Sequence, residues 1–146
     1  MHKPKTLPRA GNKALVYFRG GGCVYGTAEH RIEFCNALAV RTGCIVINCN
    51  YRKSPEAKFP LPVIDAYAIF MNIFNEAHAF GISPNNLAIV GESGGACIAL
   101  GVAQMLAVSG HENLVRMLVL SWPMVGDFLC GGPTPDWTSY ELSIKD

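Results

Sequence analysis

Leu87-Ala88-Ile89-Val90-Gly91-Glu92-Ser93-Gly94-Gly95-Ala96 is the stretch whose reading decides the fold. Residues 87–90 are a short apolar run of strand character, and the charge-free apolar residues 96–108 follow as a helix. Between them stands Gly-x-Ser-x-Gly, so the serine sits on a turn from strand to helix. A nucleophilic serine must project from such a turn, which requires small residues two positions before and after it. Gly91 and Gly95 supply them. The helix that begins at Gly94 aims its free N–H groups and positive dipole end at Ser93, an arrangement that favours a developing oxyanion.

Outward from this turn the chain alternates strand and helix. Residues 14–18 (ALVYF), 44–49 (CIVINC) and 116–121 read as further buried strands. One helix is predicted from Thr27 to about Arg41, stopped by Thr42-Gly43. A second carries Val63, Ala66, Tyr67, Phe70, Ile73 and Phe74, closed by Gly81 and Pro84. Continuous apolar strands alternating with helices imply an α/β fold with a mainly parallel sheet covered on both faces.

The 146 residues are half hydrophobic and 16% charged, with a net charge of +1. That balance excludes a disordered chain and the strongly basic character of a nucleic-acid binder. The charge-free residues 93–110 are broken by Gly94, Gly95, Gly101, Gln104 and Ser109, which argues against a membrane span. Residues 1–13 carry prolines and basic residues without an apolar run, so no secretory signal is read and a cytoplasmic location is expected. Cys23, Cys35, Cys44, Cys49, Cys97 and Cys130 show no metal-ligand spacing and are expected to be reduced, mostly buried thiols.

Gly20-Gly21-Gly22 ends the first strand and lies on the same side of the sheet as Ser93, since both follow parallel strands. Such a loop can offer bare backbone N–H groups to an anion. No phosphate-loop spacing accompanies it, so the partner expected is the oxyanion at Ser93.

Three segments, in order, resemble one known family. They are Tyr17-Phe18-Arg19-Gly20-Gly21-Gly22 with Gly26, then Asn50-Tyr51-Arg52-Lys53-Ser54-Pro55-Glu56 through Phe59-Pro60 and Asp65, and finally Gly91-Glu92-Ser93-Gly94-Gly95. The chain is similar, over residues 14–125, to the α/β-hydrolases of the hormone-sensitive-lipase and arylacetamide-deacetylase type. The resemblance implies a serine esterase or lipase with Ser93 as nucleophile, backbone N–H groups of Gly20, Gly21 and Gly94 as oxyanion donors, and no cofactor or metal. It implies a structural role for the segment from Tyr51, bracing the loop beneath the site, and places Glu92 beside the reacting group without a catalytic part. The family has a histidine where this chain has Arg19, and a solvent-facing arginine is expected there.

A serine hydroxyl also needs a histidine base oriented by a carboxylate. In this fold both follow later strands. His2, His30, His78 and His111 stand in the wrong part of the topology, and Asp127 and Asp136 come one strand too early. Neither triad acid nor base is expected in this chain, which reads as the amino-terminal portion of a larger hydrolase, incomplete at its carboxyl end. The alternative is a non-catalytic binding protein of the same fold. The expected partner is a small ester, and Phe18, Tyr25, Phe34 and Met124 suggest that its groups are apolar. Self-association through an exposed sheet edge is also expected.

Overall fold

The computed structural model describes residues 12–124. Four strands, β1 (Asn12–Phe18), β2 (Ile45–Cys49), β3 (Ile82–Glu92) and β4 (Met117–Ser121), form one sheet in the order β2-β1-β3-β4. Every pairing is parallel. The helices are α1 (Ile32–Thr42), α2 (Leu61–Asn75) and α3 (Gly94–Val108).

Alternation along β1 sorts the two faces of the sheet. Ala14, Val16 and Phe18 join Phe70 of α2, Ile89 of β3 and Val102 of α3 in the larger core. Tyr17 turns the other way, with Val46 and with Cys35 and Ala39 of α1. Helices therefore cover both faces, which is why the strands read as unbroken apolar runs. The cover thins at β4, where Leu118 and Leu120 pack on the larger core while Met117 and Val119 stay exposed.

The topology creates the site. From β1 the chain runs through α1 to β2 on one side, then crosses back and lays β3 on the other side of β1. A crevice opens outside the carboxyl ends of the strands where the direction of winding reverses. The loops that leave β1 and β3, carrying Gly20–Gly22 and Ser93, sit at that point.

Three elements differ from the sequence reading. The first helix opens as a 3₁₀ turn, Ala28–Arg31, in which the Thr27 N–H donates to His30 Nδ1 at 3.1 Å. β3 begins at Ile82 rather than residue 87, because Ile82 pairs with Asn12 before the register shifts and Leu87 pairs with Ala14. Pro84 falls in that irregular stretch, where no ladder N–H is required of it. Gly43 ends α1 in the left-handed conformation, as the sequence predicts, whereas α2 stops at Asn75 and Gly81 instead ends a separate 3₁₀ turn, Ala77–Phe80. Cys35, Cys44 and Cys49 are buried and unbridged, Cys23 and Cys97 are unbridged and half-buried, and Cys130 lies outside the described residues. Among the described residues no helix is long and apolar enough to cross a membrane, and no group of three or more His, Cys, Asp or Glu side chains could hold a metal ion.

Candidate active site

Ser93 has φ 49° and ψ −123°, a conformation that side-chain-bearing residues rarely adopt. The turn is held by what surrounds it. A Cβ on Gly91 would lie 2.3 Å from the Gly95 carbonyl oxygen and 2.7 Å from the Ala96 Cα. One on Gly95 would lie 2.1 Å from the Phe18 carbonyl oxygen and 2.5 Å from that of Arg19. Both glycines are thus required by close approach of backbone to backbone. The Ser93 N–H donates to the Ser121 carbonyl of β4 at 2.7 Å, and the Ser93 carbonyl accepts the Ala96 N–H at 2.9 Å, starting α3. The first amides of a helix have no partner within it, so those of Gly94 and Gly95 are oriented for an external acceptor.

The glycine loop lies against this turn. A Cβ on Gly20 would sit 3.2 Å from Ser93 Cβ, and one on Gly94 would sit 3.0 Å from the amide nitrogens of Gly22 and Cys23. Three carbonyls at the start of the loop are engaged. That of Arg19 accepts the Tyr51 hydroxyl at 2.8 Å, that of Gly20 accepts the Arg19 guanidinium, and that of Gly21 accepts the N–H groups of Val24 and Tyr25 at 3.0 and 2.9 Å. In a trans peptide the N–H points opposite the preceding C=O. Fixing these three carbonyls therefore fixes the amides of Gly20, Gly21 and Gly22 on the other side.

Arg19 corrects the sequence reading. It does not face solvent but is 5% exposed, folded beneath its own loop, with donors on the Gly20 and Tyr25 carbonyls. The room comes from Gly26, where a Cβ would lie 2.4 Å from Arg19 Nη1. Nothing local in the sequence signals this, because the space is made by a residue across the turn. Tyr51 braces the loop as the resemblance implies, and the Ser54 N–H donates to the Cys23 carbonyl at 2.9 Å. The segment is tied to α2 by Arg52, which makes two side-chain hydrogen bonds of 2.7 and 2.6 Å to Asp65.

Glu92 pairs with Arg31, at the end of the 3₁₀ turn before α1, at 2.7 Å. Burial first, and the Glu92 carboxylate second, push the Tyr17 phenol well above its ordinary range. Burial and then the charge of Arg19 lower Lys53, and burial and then Cys97 raise the Cys23 thiol. His30 lies 5.7 Å from the Tyr25 ring, His78 is in the 3₁₀ turn after α2, and His111 lies beyond the far end of α3. No histidine among the described residues is hydrogen-bonded to Ser93. His2, Asp127 and Asp136 lie outside the described residues.

The side chains expected to suggest apolar groups divide differently. Phe18 is fully buried in the core and Phe34 packs on Tyr17 at 5.4 Å, so both are structural. Met124 instead lines a groove of about 710 Å³ that the sequence did not reveal, walled by Phe59 and Val63 on one side and Cys97 and Met105 on the other, with Cys23 at its edge. Cys97 is one turn of α3 beyond Ser93, and Cys23 follows the glycine loop, so the groove begins beside the turn.

Comparison with known proteins agrees with this architecture. The family described as alpha/beta hydrolase fold matches residues 15–141. The ethyl acetate hydrolase of Pseudomonas putida is 34% identical over 131 residues, 90% of this chain and 41% of that protein. Arylacetamide deacetylase-like 3 of Homo sapiens is 31% identical over 125 residues, 86% of this chain and 31% of that protein. The hyperthermophilic esterase of the archaeon Pyrobaculum calidifontis superposes with a TM-score of 0.81 at 34% identity, over 87% of this chain and 40% of the esterase. A bacterial heroin esterase gives 0.77 at 34% identity, over 86% and 39%. The chain thus spans about two fifths or less of the length of these relatives, which are esterases and arylacetamide-deacetylase-like proteins, and it belongs to the alpha/beta hydrolase fold family.

Proposed function

We propose that the protein is a serine hydrolase of carboxylic esters, acting through an acyl-Ser93 intermediate. The observation that carries this reading is Ser93 itself, held at positive φ on a turn packed against Gly20. Ser93 attacks the ester carbonyl, the alcohol leaves, and water then hydrolyses the acyl-enzyme. The N–H groups of Gly20, Gly21 and Gly94 receive the negative charge on the carbonyl oxygen, and this reading is supported by the engagement of the loop carbonyls on the opposite side. No residue of this chain is assigned as the base or as the carboxylate that orients it. Esters with apolar groups are the proposed substrates, since the groove beside Ser93 is walled largely by carbon. A cytoplasmic location is proposed with it, supported by five unbridged cysteines among the described residues.

The test is a fluorophosphonate probe applied to the protein beside its Ser93→Ala variant, with turnover of p-nitrophenyl acetate and a longer-chain ester measured in parallel. Ser93-dependent labelling is expected. A chain that folds but takes no label and turns over no ester is not active by itself, and the alternative of a non-catalytic binding protein of this fold is then favoured.

A further inference from the structure

The Arg19 side chain brings a full positive charge beneath the glycine loop. It is 5% exposed, and no carboxylate among the described residues pairs with it, since Glu92 is taken by Arg31 and Asp65 by Arg52. Burying an unpaired guanidinium is costly unless its donors are satisfied by oriented dipoles. Here the dipoles are the carbonyls of Gly20 and Tyr25. The first belongs to the peptide whose other end is the Gly21 N–H. A carbonyl that accepts from a cation draws electron density from its amide, and the N–H on the far side becomes a stronger donor. Gly26 completes the device, since any side chain there would meet Nη1 at 2.4 Å and Cζ at 2.8 Å and drive the guanidinium from its seat.

We propose that Arg19 is a positioning residue of the oxyanion site, holding the Gly20–Gly21 peptide in orientation and, by its charge, strengthening the Gly21 N–H. A neutral side chain in the same place could fix the loop's shape but could not polarise that peptide in the same way. The role rests on the reading of Ser93 as the hydrolytic serine, and the polarisation itself does not.

Two measurements separate these. In the labelled chain, Arg19→Met should move the Gly20 carbonyl carbon and the Gly21 amide nitrogen upfield in the NMR spectrum, while amides of the sheet and α3 stay in place. In the activity arm, Arg19→Met should lower kcat and the fluorophosphonate labelling rate about 10- to 100-fold, at or below the loss of a whole oxyanion donor, with KM changed less than threefold. Arg19→Lys keeps the charge but loses the fork, and should recover part of both effects. If Arg19→Met fails to fold, Arg19→Lys against wild type decides, with a partial shift of the Gly21 amide and a partial loss of kcat expected. Unmoved Gly20 and Gly21 signals in a folded variant, or labelling within twofold of wild type, overturn the proposal. If wild type takes no label at Ser93, the hydrolytic reading fails and the oxyanion role with it, whereas the Gly21 amide still decides whether Arg19 polarises the peptide.

Discussion

At the scale of single residues, the turn at Ser93 is made by crowding. Gly95 is pinned between the carbonyls that end β1, so Gly95→Ala has no flexible neighbour to displace. It should cost about 3 kcal/mol, read from urea unfolding, and should abolish labelling in whatever remains folded. Glu92→Gln should cost less than about 1 kcal/mol, because its partner Arg31 is 46% exposed at the side chain. Its clearer signature is Tyr17. Removing the carboxylate should lower the Tyr17 phenol toward its ordinary value without reaching it, since burial is the larger cause, and ultraviolet titration of the phenolate would show this. A phenol raised in the fold stabilises it below the unfolded value of about 10, and that contribution is lost as pH rises through the folded value. Ser93, Gly91 and Gly95 were legible because a strand, a motif and a helix sit side by side in sequence. Arg19 was not, because whether an arginine after a strand points inward depends on the side chain missing at Gly26 and on Tyr51 across the loop.

At the scale of elements, the sequence reading places β1, β2, α3 and β4 within about two residues, because each carries its own period and its own stop, whereas α2 ends at Asn75, ahead of the stop read at Gly81 and Pro84. It failed where pairing overrides period. β3 gains its first residues only through the contact of Ile82 with Asn12, which no local pattern announces. The groove also belongs to this scale, since its walls come from α3 and from the entry to α2 and exist only once these pack. The link from the Tyr51 segment to α2 is the Arg52–Asp65 pair, and the Asp65 carboxyl is held below its ordinary value by the Arg52 hydrogen bonds. Asp65→Asn should cost less than about 1 kcal/mol at pH 7, since Arg52 is largely exposed. A carboxyl lowered in the fold contributes above its unfolded value of about 4, and the contribution disappears as pH falls through the folded value. Urea midpoints of Asp65→Asn and wild type should therefore differ at pH 7 and converge as the solution is acidified below pH ~4.

At the scale of the whole molecule, β4 closes the described sheet with its edge, and with Met117 59% and Val119 40% exposed on one face. A long-lived apolar edge templates pairing with another chain. The 146-residue chain expressed alone should associate in a concentration-dependent way, and Met117→Lys with Val119→Lys should shift it toward monomer in size-exclusion chromatography. A monodisperse wild-type monomer at high concentration would contradict this. The strand order also has a consequence during synthesis. β1 is an inner strand, yet one of its two neighbours, β3, follows about 70 residues later in the chain, with β2 on its other side in between. At translation rates of about 5 to 20 residues per second, one edge of β1 waits roughly 4 to 14 seconds for its partner. During that interval the nascent chain presents Ala14, Val16 and Phe18 without their helical cover. The parallel order that builds the crevice for Ser93 therefore also fixes a period in which one edge of β1 stands open to wrong partners.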